Sequence, residues 1–121
     1  NNDGLNFQIA LNYGSRDEMI RAMKNMCMDV KEGKVEADQI NDKLFETYLD
    51  THDIPDPDLI VRTSGEHRIS NYLLWQSAYS EFYFTETLWP DFGRDEVIKA
   101  AEAFYKRKRR FGGLNPEDAA K

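Results

Sequence analysis

The chain is expected to fold as an α/β protein, a mostly parallel sheet flanked by helices, and three observations predict it. Leu5, Phe7, Ile9 and Leu11 alternate with smaller or polar residues, as in a strand. Leu59, Ile60 and Val61 form a wholly apolar run just after Pro55 and Pro57, which suits a strand buried on both faces. Apolar residues recur at helical period between these strands and after them, with no internal repeat or low-complexity segment.

Each element follows from its residues. Gly14 breaks the first strand, and Ser15 and Glu18 stand at capping-box spacing. Met19, Ile20, Met23, Cys27 and Val30 then share one face, predicting a helix over 16–31 that Gly33 ends. Ile40, Leu44, Phe45, Tyr48 and Leu49 predict a second amphipathic helix, with Asp38 or Asn41 to cap it. The strand at 59–61 follows the two prolines. A further helix is expected from Ser70 to Tyr79, then a short strand near 82–84 in the aromatic run before Pro90. The last helix is expected over 94–108, with Val97, Ile98, Ala101, Phe104 and Tyr105 facing inward and Gly112 and Gly113 stopping it. Three short strands make a thin parallel sheet, which implies that residues 1–121 belong to something larger.

Composition narrows the function. The 121 residues are enough for one compact domain, and 22 acidic against 16 basic residues give a formal charge of −6, which argues against a nucleic-acid partner. The basic residues are uneven, however, with a run at Lys106, Arg107, Lys108, Arg109 and Arg110. Cys27 is the single cysteine, so no intrachain disulfide forms and a reducing, cytoplasmic setting fits. No apolar run approaches the ~18 residues that a membrane-spanning helix needs.

The candidate site lies just beyond the apolar strand. In open α/β sheets ligands gather outside the carboxyl ends of strands. There the sequence places Arg62 and Arg68, a small-residue turn at Ser64 and Gly65, Glu66 and His67, and Ser70 at the expected start of a helix. Guanidinium groups make bidentate bonds to phosphate, and a helix start offers free amides, so the set reads as a diphosphate site. The same residues also read structurally: Ser70 as a helix cap, the arginines as partners of Glu66, Asp56 or Asp58, and His67 as a plain loop residue. Glu81 reads either as a magnesium ligand beside a diphosphate or as a surface glutamate. The tail at Arg110 and Gly112 reads as a helix end, or as a turn that touches another phosphate.

The continuous stretch "DPDLIVRTSGEHRISNYLLWQSAYSEFYFTETLWPDF", from Asp56 to Phe92, resembles the signature block of the cis-prenyltransferases, the undecaprenyl diphosphate synthase family. "ALNYGSRDEM" resembles that family's Asn-Tyr-Gly-Gly-Arg block, with Ser15 in place of the second glycine, and "RRFGG" resembles its Arg-x-Gly ending. The resemblance implies cis-elongation of an allylic starter such as farnesyl diphosphate by isopentenyl diphosphate, giving a long polyprenyl diphosphate. It implies that Arg62, Arg68 and Ser70 hold isopentenyl diphosphate, that Glu66 and His67 line the same pocket, and that Glu81 belongs to a Mg2+ site. It further implies a homodimer in which Arg110 and Gly112 reach a partner's diphosphate site. The product implies transient membrane contact for its release.

Nothing in the chain matches the family's opening His-x-Met-Asp-Gly-Asn-Gly-Arg-Trp block, which supplies the catalytic aspartate. The chain is therefore expected to be the C-terminal half of a longer enzyme, inactive alone and lacking the catalytic residue. The alternative is a noncatalytic dimerising subunit; such subunits typically lose the arginine and serine loop, which is retained here.

Overall fold

The computed structural model of the chain describes residues 4–107. They fall into two compact units: residues up to Pro55 together with Asn71–Leu74, and Asp56–Ser70 together with the residues from Trp75 onward.

The first unit is helical. Helix α1 spans Ser15–Lys31, a 3-10 turn Ala37–Gln39, and the short α2 Asp42–Glu46. Asn41 caps α2 as expected, its side-chain oxygen accepting the Leu44 N–H at 3.0 Å. Gly33 ends α1 in the left-handed conformation (φ 71°), its N–H donating to the Val30 carbonyl.

The start of α1 differs from expectation. Gly14 is the N-cap, without a side-chain cap, and Ser15 lies inside the helix. The orphan amides of the first turn are taken instead by Asn71, whose carbonyl accepts from Ser15 N–H (2.8 Å) and whose Oδ1 accepts from Arg16 N–H (2.9 Å). Ser15 Oγ in turn accepts the Leu74 N–H at 2.9 Å. A cap distant in sequence has replaced a local one.

The buried stripe of α1 is also rotated from the apolar one. Ser15, Glu18, Ala22 and Met26 are buried, whereas Ile20, Met23 and Cys27 are exposed and help line a shallow apolar groove. Leu5 to Leu11 form no strand, and Leu5, Phe7, Ile9 and Leu11 are exposed. Alternation supplies a strand's face but not its ladder, and among the described residues nothing pairs with this segment.

The second unit holds the sheet. Strands β1 (Leu59–Arg62) and β2 (Glu81–Phe84) pair in parallel, Leu59 opposite Glu81 and Arg62 opposite Phe84. Helix α3, Arg94–Tyr105, packs on β2. Its inward positions are Ala100 and the half-buried Glu96, Ala101, Ala103 and Phe104, whereas Val97, Ile98 and Tyr105, expected inward, are exposed. The expected helix from Ser70 to Tyr79 is absent. Turns replace it, and Ser70, Asn71 and Leu73 take left-handed φ values of 50°, 62° and 48° that no helix accommodates.

Candidate functional site

The loop after β1 is shaped by its backbone. Ser64 and Gly65 both take left-handed φ, 65° and 66°, and their N–H groups donate to the carbonyls of Thr87 and Thr85, each at 2.9 Å. The Thr85 N–H donates in turn to the Arg62 carbonyl at 3.0 Å. The loop is therefore laced to the chain just beyond β2. Glycine fits at position 65 because of the positive φ; a Cβ there would meet only the Glu86 carboxylate, the movable end of an exposed side chain.

Strand alternation sorts the candidate residues onto two faces. Arg62 shares its face with Phe82 and Phe84, whose rings stack at a centroid distance of 5.9 Å. His67, though exposed, folds back over Phe84 at 4.9 Å, which keeps it on the side of Arg62. Arg62 is half-buried, and its Nε is buried with no hydrogen-bond partner. A desolvated guanidinium N–H without an acceptor costs about 1–3 kcal/mol, so the position is poised for an incoming anion.

Arg68 pairs with Glu66, as the structural reading of these residues allowed. Their side chains are 66% and 37% exposed. An ion pair so wet contributes at most about 1 kcal/mol, and a bidentate bond to phosphate outcompetes it. Ser70 is exposed and sits in a turn, so the free amides of a helix start are not available beside it. Only its hydroxyl is left to contribute.

Glu81 stands elsewhere. It opens β2 opposite Leu59, three register steps from Arg62, roughly 10 Å along the strand and on the other face. Its carboxylate accepts from Arg107 Nη1 at 2.6 Å. Within one chain, then, Arg62, Glu66, His67 and Arg68 are gathered in one loop, and Glu81 is not brought to them. Among the described residues no group of three or more His, Cys, Asp or Glu could hold a metal. Glu81 by itself is therefore not a complete metal site. Arg110 and Gly112 lie outside the described residues.

A family profile described as "Putative undecaprenyl diphosphate synthase" matches residues 1–112. The chain belongs to the undecaprenyl diphosphate synthase family. It is 53% identical over 119 residues to an isoprenyl transferase of Brucella suis, covering 98% of this chain and 47% of that protein. It is 54% identical over 114 residues to an isoprenyl transferase of Heliobacterium mobile, covering 94% and 44%. The chain thus spans about half the length of the curated relatives it matches. Among solved structures, lavandulyl diphosphate synthase from Lavandula x intermedia, in complex with dimethylallyl diphosphate, superposes with a TM-score of 0.79 at 40% identity, over 83% of this chain and 43% of that one. A "probable undecaprenyl diphosphate synthase" from Campylobacter jejuni gives 0.69 at 40% identity, over 84% and 45%.

Sequence reasoning named the loop and overlooked what holds it. Thr85, Thr87 and Glu96 escaped notice because they resemble ordinary strand-end and helix-surface residues. The signal available was the Thr-x-Thr spacing immediately after the aromatic strand.

Proposed function

We propose that this chain carries the isopentenyl diphosphate site of a cis-prenyltransferase, which joins isopentenyl diphosphate to an allylic diphosphate such as farnesyl diphosphate to build a long polyprenyl diphosphate. The observation that carries the reading is Arg62, whose buried, unpartnered Nε stands at the head of a loop that also presents Arg68. The Arg62 Nε and the Arg68 guanidinium are donors to one diphosphate, with the Ser70 hydroxyl as a third. His67 and Glu66 complete the pocket wall, Glu66 serving as the resting counter-ion that Arg68 leaves when substrate enters.

The chemistry explains why such a loop is useful. In the condensation the allylic C–O bond breaks and its electron pair departs with the diphosphate. The isopentenyl double bond supplies the electrons of the new C–C bond, and a proton is lost. Fixing the isopentenyl diphosphate by its head group places the double bond within reach of the allylic carbon, a proximity effect. Magnesium, when bound beside Glu81, would supply positive charge to a diphosphate. Homodimer formation, with Arg110 and Gly112 reaching the partner, belongs to the same reading, as do a cytoplasmic setting and passing membrane contact. No helix among the described residues is long and apolar enough to cross a membrane.

The test is Arg68→Ala in the full-length protein. Loss of a charge-assisted bond worth about 1.5–3 kcal/mol should raise KM for isopentenyl diphosphate by roughly 10- to 150-fold and leave KM for the allylic starter nearly unchanged. Equal effects on both substrates would count against the assignment.

A further inference from the structure

Behind the arginine loop lies a hydrogen-bonded line that neither the resemblance nor the relatives' names assign. It starts on α3. Glu96, only 18% exposed in its side chain, is engaged by Lys99 Nζ at 2.6 Å and accepts the Thr87 hydroxyl at 3.2 Å. Thr87 Oγ1 accepts the Thr85 hydroxyl at 3.1 Å, and Thr85 Oγ1 accepts the Thr87 N–H at 3.2 Å. Both threonines are half-buried and share one face of the chain as it leaves β2. The carbonyls of these same two residues accept the N–H groups of Ser64 and Gly65.

The two sets of bonds serve different ends. Donors run in one direction, Thr85 to Thr87 to Glu96, so each bond polarises the next, and the line ends on a carboxylate that cannot return a hydrogen bond. That fixes the peptide planes of residues 85–87. Of the two left-handed residues in succession, Ser64 carries a Cβ and meets the usual steric penalty. Their N–H bonds to fixed carbonyls hold them there. The turn in its turn sets the direction in which the chain carries Arg68 away from Arg62.

We propose that Thr87, anchored by Glu96, is a positioning residue for the isopentenyl diphosphate loop: helix α3 sets the spacing of Arg62 and Arg68 through Thr85–Thr87 and the Ser64–Gly65 turn. This rests on the diphosphate reading of that loop and adds to it the element that shapes it. Thr87 touches no substrate.

The experiment is steady-state kinetics of Thr87→Val in the full-length protein, each substrate varied in turn, with Arg68→Ala measured in parallel. Valine keeps the volume and removes the hydroxyl. KM for isopentenyl diphosphate should rise about tenfold, equivalent to about 1.4 kcal/mol, and KM for the allylic substrate should stay within twofold. Thr87→Ser, which keeps the hydroxyl, should restore the first value to within twofold. Should Thr87→Val fail to fold, Glu96→Ala removes the anchor from the helix side and should give the same one-sided rise. The inference is overturned if the isopentenyl KM stays within twofold in the folded variant, if both KM values rise together, or if serine fails to rescue. A flat Thr87→Val result with an elevated Arg68→Ala value removes the positioning role alone. A flat Arg68→Ala result removes the diphosphate reading itself.

Discussion

Arg107 donates to the Glu81 carboxylate across 2.6 Å, tying the chain just past α3 to the first residue of β2. The carboxylate that the family resemblance assigns to magnesium is therefore already matched with a cation. The pair is 41% and 25% exposed, so its contribution is at most about 1 kcal/mol, and a metal ion competes against no more than that. Arg107→Ala is expected to lower the magnesium concentration for half-maximal turnover by up to about fivefold, and Glu81→Gln to raise it. A magnesium titration checks both, and an unchanged midpoint in Glu81→Gln would remove Glu81 from the metal site. Calorimetric binding of magnesium with inorganic diphosphate gives an independent readout.

Gly65→Ala tests the turn from the opposite side. The left-handed φ of 66° should cost an L-residue about 1–2 kcal/mol, and the new methyl would meet the Glu86 carboxylate. A fall in Tm is expected. Glu86 is exposed and its carboxylate can swing aside, so adding Glu86→Ala should change little, and the double variant should melt close to Gly65→Ala. Complete recovery would mean that the φ value imposes no strain.

How far these features could be read from the sequence depended on how local their causes were. β1, β2, α3 and the Gly33 stop follow from neighbouring residues: an apolar run after prolines, an aromatic β-favouring run, helical periodicity and a left-handed glycine. The failures share the opposite trait. Ser15 looked like a cap because Ser-x-x-Glu is a local signature, yet Asn71, distant in the chain, caps α1. The apolar stripe of Met19, Ile20, Met23 and Cys27 pointed inward by hydrophobicity alone. Glu18, bonded to Tyr13 and Asp50, turned the buried face toward itself. Arg62, Glu66, His67 and Arg68 were found together because one loop carries them. The separation of Glu81 from Arg62 is a matter of register, which becomes visible only when the strands pair.

Tyr13 makes the first unit sensitive to alkaline pH. Burial, and the hydrogen bond to Glu18, push its hydroxyl from 10 up to about 12. The folded state thus holds this proton more tightly than the unfolded chain. Its contribution to stability is fully present below pH 10 and is lost as pH rises from there through about 12. Tyr13→Phe cannot titrate, so chemical denaturation at a series of pH values should show a shallower decline between pH 10 and 12 than wild type. Identical slopes would mean that Tyr13 titrates alike in both states.

Glu18 is 1% exposed and is the largest fully buried side chain among the described residues. One carboxyl oxygen accepts the Tyr13 hydroxyl at 2.5 Å, and the other accepts the Asp50 backbone N–H at 2.9 Å. It thereby fastens the segment before α1 and the turn after α2 to the helix between them in sequence. Glu18→Ala would strand both donors and open a cavity, a combination expected to cost about 2–4 kcal/mol. Glu18→Gln keeps the volume and an amide oxygen that can still accept one of the two bonds, so its loss should be roughly half as large. Urea unfolding with an unchanged m-value measures both. A Glu18→Ala loss below about 1 kcal/mol would show that water replaces the carboxyl group freely, and that the buried polar face of α1 does not hold this unit together.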